Sequence, residues 1–181
     1  MTSKPIPLDP AALDAVTGGA VTIGGSGADR IVGTGGADLL LGNGGDDAIA
    51  GGAGNDQIEG GGGRDVLQGD AGDDRLSGGT GDRVGDIAFG GDGNDTYTWS
   101  PGDGNDSFRG MAGQDTLSLP TLSLGQLQSA LQVSGTGLHM QVSGNVVSFT
   151  NASGQPASFG GTINLGGETL TFSEIERIQV R

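Results

Sequence analysis

The chain has 181 residues, 40 of them Gly and none Cys, with a net charge of −14. That charge leaves no basic footprint for nucleic acid and is repelled by an anionic membrane surface, and zero Cys excludes disulfides, thiolate metal sites and a cysteine nucleophile. No stretch approaches the ~20 apolar residues of a membrane span, and the first twenty residues lack the apolar core of a general secretory signal.

In chain order, Asp9, Pro10, the run AALDAV and Gly18-Gly19 predict a short helix: Asp as N-cap, Pro at the first helical position, Gly at the stop. One reading makes residues 1–23 an N-terminal helical cap. The other follows from Leu8, Leu13, Val16 and Gly18-Gly19, whose spacing resembles double-glycine leader peptides, cleaved after the second Gly by peptidase-bearing exporters. Ala12 departs from the acidic residue usual in such leaders.

From Gly24 the chain repeats in nines: GGSGADRIV, GTGGADLLL, GNGGDDAIA, GGAGNDQIE, GGGGRDVLQ and GDAGDDRLS. A seventh copy, GGTGDRVGDIAF, carries three extra residues; GGDGNDTYT follows, and after Trp99 and Ser100 come PGDGNDSFR and GMAGQDTLS, ending at Ser118. Position 4 is Gly in all ten copies, and position 8 is apolar in all ten. Position 6 is Asp in nine; in the seventh, Arg83 stands there unless the insertion lets Asp86 serve. Disordered low-complexity sequence would not hold such phase. The first six residues of each copy form a turn with Gly where the backbone needs unusual conformations, and the last three a minimal strand with position 8 facing inward. Strands recurring every nine residues stack into a two-sheet parallel solenoid, two repeats per full turn. With one core residue in nine and rows of Asp along each edge, apolar burial does not offset the cost of ordering the chain. A cation bound only by the folded state has to make up the difference.

The nonapeptide G-G-x-G-x-D-x-U-x resembles that of RTX (repeats-in-toxin) proteins, the haemolysin-type calcium-binding repeat family, over residues 24–118. The resemblance implies an all-β, right-handed parallel β-roll with Ca²⁺ between turns stacked two repeats apart, roughly five to eight ions in all. The implied ligands are the position-6 carboxylates Asp29, Asp38, Asp47, Asp56, Asp65, Asp74, Asp95, Asp106 and Asp115, with Asp86 in the seventh copy. Main-chain carbonyls of the turns join them, at Gly24, Gly33, Gly42, Gly51, Gly60 and Gly69 and at Ser26, Gly35, Gly44, Ala53, Gly62 and Ala71. The other turn acids, Asp46, Asp70, Asp73, Asp82, Asp92 and Asp103, read as solvated surface that raises the local negative potential. These turns offer neither Cys nor His, so zinc and copper are disfavoured.

Residues 119–181 turn Leu/Ser/Thr/Val-rich, predicting a weak helix over 122–131 and strands near 138–142, 146–150, 162–165 and 169–172. They read as a small β-rich cap over the last roll edge. The ending GGETLTFSEIERIQV resembles the segment that closes RTX arrays, and the family implies a type I secretion signal here, hence export from a bacterium and folding in extracellular Ca²⁺. Catalysis is not expected: His139 and Lys4 are the sole residues of their kinds, and no G-x-S-x-G elbow occurs. A different class is a calcium-dependent adhesin or biofilm-matrix component binding polysaccharide or itself, with Trp99 as its exposed aromatic candidate and Tyr97 and Phe108 in the core.

Overall fold

The computed structural model describes residues 18–181. The helix or leader expected before Gly18 lies outside them. The strands are β1 (Gly18–Ile23), β2 (Arg30–Val32), β3 (Ala37–Gly44), β4 (Ala48–Ala53), β5 (Gln57–Gly62), β6 (Val66–Ala71), β7 (Arg75–Ser77), β8 (Ile87–Asp92), β9 (Thr96–Thr98), β10 (Ser107–Ala112) and β11 (Thr116–Leu119). A short helix α1 (Leu124–Ala130) follows, then β12 (Leu131–Ser134), β13 (His139–Ser143), β14 (Val146–Thr150), β15 (Phe159–Leu165), β16 (Glu168–Ile175) and β17 (Arg177–Val180).

Odd and even strands of the repeats go to opposite sheets, as a nine-residue half-coil requires. One sheet runs β1-β3-β5-β7-β9-β11-β17-β14-β13 and the other β2-β4-β6-β8-β10-β16-β15-β12. Pairing within the roll is parallel, and position 8 stacks on position 8. One ladder is Ile31, Ile49, Leu67, Ala88, Phe108 and Phe172. The other is Leu40, Ile58, Leu76, Tyr97, Leu117 and Ile178. All twelve side chains are buried, which makes this pair of ladders the core of the roll. The fold is the β-solenoid that the nonapeptide period dictates.

From the third copy on, the turns are built on left-handed backbone at positions 2 and 4. Gly52 and Gly54 (φ 104° and 112°), Gly61 and Gly63 (111° and 117°) and Gly91 and Gly93 (126° and 136°) repeat the pattern. Non-glycine residues Asn43, Asp70 and Met111 adopt it at position 2 with φ of 73–79°, a conformation Asn and Asp tolerate better than most. In several copies the strand continues past its three expected residues into the turn, because positions 2 and 3 pair with the coil two repeats on, as Asn43 with Gly61 and Gly44 with Gly62.

Beyond the tenth repeat, β16 and β17 continue both sheets in parallel and add one more coil. Antiparallel pairs β15–β16, β12–β15, β14–β17 and β13–β14 then finish each sheet. Helix α1 starts at Ser123, whose side chain and that of Gln126 form a capping box. Phe149, Phe159 and Phe172 pack edge-on and tilted beneath these strands. Trp99 is a correction to the sequence reading. Its side chain is fully buried, with Nε1 donating to the Gly104 carbonyl at 3.3 Å, so it offers no exposed ring to a sugar.

Candidate metal centre

The position-6 aspartates form two continuous rows. In each row the main-chain N–H of one Asp donates to Oδ1 of the Asp one full coil later. One row runs Asp29 to Asp47, Asp47 to Asp65, Asp65 to Asp86 and Asp86 to Asp106, at 2.8–3.0 Å. The other runs Asp38 to Asp56, Asp56 to Asp74, Asp74 to Asp95 and Asp95 to Asp115, at 2.7–2.9 Å. The alternative at the seventh copy is thereby resolved. Asp86 holds the row, and the insertion loops out before it with Arg83 exposed and left-handed (φ 65°).

All these aspartates except Asp29 are buried. Their second oxygens set the chemistry. Oδ2 of Asp47, Asp56, Asp65, Asp74, Asp86, Asp95 and Asp115 is buried and accepts no hydrogen bond. Most of them share their surroundings: the point where a Cβ on the position-1 Gly would stand lies within 2.6 Å of both Oδ2 and a main-chain carbonyl from the next coil. The sets are Gly42 with Asp47 and the Gly60 carbonyl, Gly51 with Asp56 and Gly69, Gly60 with Asp65 and Gly78, Gly69 with Asp74 and Gly90, and Gly90 with Asp95 and Gly110. An ionised oxygen buried without a donor is costly and calls for a proton or a cation. The donor set is oxygen only, which suits a hard cation. Among the described residues no three His, Cys, Asp or Glu side chains converge on one point, so carboxylates alone do not make a shell here.

Asp106 is different. Its Oδ2 accepts a 2.7 Å hydrogen bond from the Tyr97 hydroxyl in the core. Oδ2 of Asp29 accepts from the Gly25 N–H at 2.6 Å, and Oδ2 of Asp38 accepts from the Thr34 N–H. The first two copies and the ninth thus satisfy internally what the other seven leave open.

Burial, reinforced by neighbouring carboxylates and opposed by the N–H that each Oδ1 accepts, pushes the buried carboxyls up. Asp65, Asp74, Asp106 and Asp115 reach about 6, and Asp86 and Asp95 about 7. Folded values above the ordinary 3.8 mean that the native chain binds more protons than the unfolded one between about pH 4 and 7. Without metal, stability is therefore greatest in acid and falls as pH rises through 6 to 7. In calcium-stripped buffer, far-UV circular dichroism should show more β-structure at pH 5 than at pH 8. Saturating Ca²⁺, expected from the sequence reading to take the same oxygens as the protons, should reverse the order.

Three features went unread in the sequence. Asp103, expected on the surface, is buried and braces the irregular ninth turn, Oδ1 accepting from Gly81 N–H at 3.1 Å and Oδ2 from Ser100 N–H at 2.7 Å. Position 5 carries a second ladder of opposite polarity: side-chain oxygens of Asp46, Asn55, Asp73 and Asn94 accept from the N–H of Arg64, Asp73, Asn94 and Gln114 one coil later. The recurrence of Asn or Asp at position 5 was the available signal. The third is Glu176, whose Oε2 accepts from the Asp115 N–H at 2.7 Å and so occupies the next place in the second row.

Comparison with known proteins agrees with this geometry. A family model described as the RTX calcium-binding nonapeptide repeat (4 copies) matches residues 23–58, 51–84 and 102–119. No curated protein matches the chain. The stacked half-coils, their two rows of aspartate and this match together show that residues 23–84 and 102–119 carry RTX calcium-binding nonapeptide repeats, which bind Ca²⁺.

Proposed function

We propose that the chain is a calcium-triggered folding module: unfolded where Ca²⁺ is scarce, exported by type I secretion, and folded in the millimolar Ca²⁺ outside the cell. The observation that carries this reading is the set of seven buried, donor-free Oδ2 atoms. Each makes the metal-free roll unfavourable at neutral pH, and each is an oxygen a calcium ion takes without rearrangement of the row.

In this reading the ligands are the carboxylates of the two rows together with main-chain carbonyls at positions 1 and 3 of the turns. Each ion bridges two coils and offsets the repulsion between successive aspartates. The roll of residues 24–118 is the calcium-bearing unit, and residues 119–181 carry the secretion signal. Affinities of ~10⁻⁴–10⁻³ M, usual for extracellular calcium modules, place the switch between the two compartments. Among the described residues no helix is long and apolar enough to cross a membrane.

The test is far-UV circular dichroism during a Ca²⁺ titration at pH 7.5, with Mg²⁺ as control. The expected result is a cooperative coil-to-β transition near millimolar Ca²⁺ and none with Mg²⁺, whose demand for compact octahedral coordination these turns do not meet. A β spectrum already complete in excess chelator would overturn the trigger.

A further inference from the structure

The second aspartate row does not stop at the last repeat. At Gly110 the point where a Cβ would stand lies within 2.4 Å of Asp115 Oδ2 and also against a carbonyl from the next coil, as at the other turns, but that carbonyl belongs to Glu174. Asp115 is wholly buried, and its Oδ2 is one of the oxygens with no donor. The coil that covers it has no repeat signature. Strand pairing sets Phe108 against Phe172 and Thr116 against Arg177. A connection that takes six residues in the roll, Gly110 to Asp115, therefore takes three here: Glu174, Ile175 and Glu176. Ile175 is buried and Glu174 is left-handed (φ 55°), which turns the chain in so short a span.

The side chains fit the shortened turn. Glu is one methylene longer than Asp, and its Oε2 reaches back to the Asp115 N–H at 2.7 Å, the same bond that Asp115 makes to Asp95 at 2.8 Å. The Glu174 carboxylate is engaged elsewhere, with both oxygens on Arg109 at 2.7 Å, so this residue presents only its main-chain carbonyl. Arg177 Nη2 reaches the Gln114 carbonyl and Oε1 at 3.4 Å and leaves Asp115 Oδ2 without a donor. The first row has no such continuation: its last aspartate, Asp106, has its Oδ2 on the Tyr97 hydroxyl.

We propose that Asp115, the Glu174 carbonyl and Glu176 form a calcium site outside the nonapeptide array, pinning the final coil to the roll. Only one edge carries this extra site, so the ladder of ions is one step longer on the Asp115 side than on the Asp106 side. The inference rests on the calcium reading of the repeats, and one experiment separates the two.

Calcium bound per chain would be counted by equilibrium dialysis and native mass spectrometry on the full chain at saturating Ca²⁺, for the parent and for Glu176→Gln. The Gln amide oxygen still accepts the Asp115 N–H, so the coil keeps its hydrogen bond and loses only the charge. The parent is expected to bind several ions and the variant one fewer, with an unchanged β spectrum. A parent that binds none overturns the calcium reading itself. A parent that binds several, with a variant that binds the same number at the same affinity, overturns only the terminal site. Should Glu176→Gln fail to fold in saturating Ca²⁺, Arg177→Gln decides. It removes the nearby positive charge and no ligand, and should tighten one ion several-fold; unchanged affinities throughout would refute the site.

Discussion

In saturating Ca²⁺, Asp65→Asn is expected to lose about 3–5 kcal/mol of stability, the scale of removing one partner from a buried charge pair. In calcium-free buffer at pH 8 the same variant is expected to be more stable than the parent. The opposite signs follow from one carboxylate. Asp65 Oδ1 accepts the Asp47 N–H at 2.8 Å, and an Asn oxygen keeps that bond. Oδ2 has no donor, and burial together with the Asp47, Asp82 and Asp46 charges raises the acid to about 6, so with metal absent the ionised group opposes folding. An Asn amide beside the Gly78 carbonyl removes that burden and can donate to it. With metal present, the proposed role makes the loss that of a charged ligand shared by successive inter-coil positions. Urea melts of both proteins, with and without Ca²⁺, measure the pair of effects. Destabilisation of equal size in both conditions would mean that Asp65 acts only as a turn residue.

Gly60→Ala should raise the calcium concentration needed for folding by about tenfold or more, since ~1–3 kcal/mol is the usual cost of forcing an extra methyl into a packed site. Gly60 is not left-handed, so alanine meets no backbone penalty there. The obstacle is local: its methyl would stand against Asp65 Oδ2 and 2.5 Å from the Gly78 carbonyl, between two oxygens proposed as calcium ligands. Gly27 is the matched control. Nothing lies within 4 Å of a Cβ at that position, and Gly27→Ala should shift the midpoint little. Equal midpoints for the two variants, read by circular dichroism, would place the cation away from position 1.

Both core ladders were legible because the nonapeptide fixes everything they need. Ile31 to Phe108 and Leu40 to Leu117 follow from phase alone, since stacking position 8 on position 8 is the arrangement that buries all of them. The seventh copy was ambiguous for a physical reason. Arg83 and Asp86 are equally plausible by counting, and only the return of the chain to pair Ile87 with Val66 selects Asp86. Of the closing coil only β16 was read, as the strand near 169–172; its turn and β17 were not. Phe172 and Ile178 are six residues apart instead of nine, and the turn between them has neither Gly nor Asp; β10 and β11 impose its place from outside. Strands β12 and β17 were missed likewise, their pairing partners being distant in sequence. Trp99 sits beside Ser100, Pro101 and Gly102, company that suggests surface, yet its indole is buried in the same core as the stacked rings of Tyr97 and Phe108 (centroids 5.1 Å apart).

The coil-to-coil hydrogen bonds of the two aspartate rows join residues 18 to 21 apart in sequence and run from each coil to the next. A pull on the two ends of the roll therefore loads these contacts one coil at a time, as in opening a zip, rather than shearing many at once. Each released coil frees about 18 residues, or roughly 60 Å of extended chain, so the module yields in short, regular steps. Ions bridging two coils, as proposed above, would raise the force of each step without altering its length. On the proposed calcium reading, the roll under tension is a row of near-equal latches, 18 to 21 residues each, whose strength follows the calcium concentration around it.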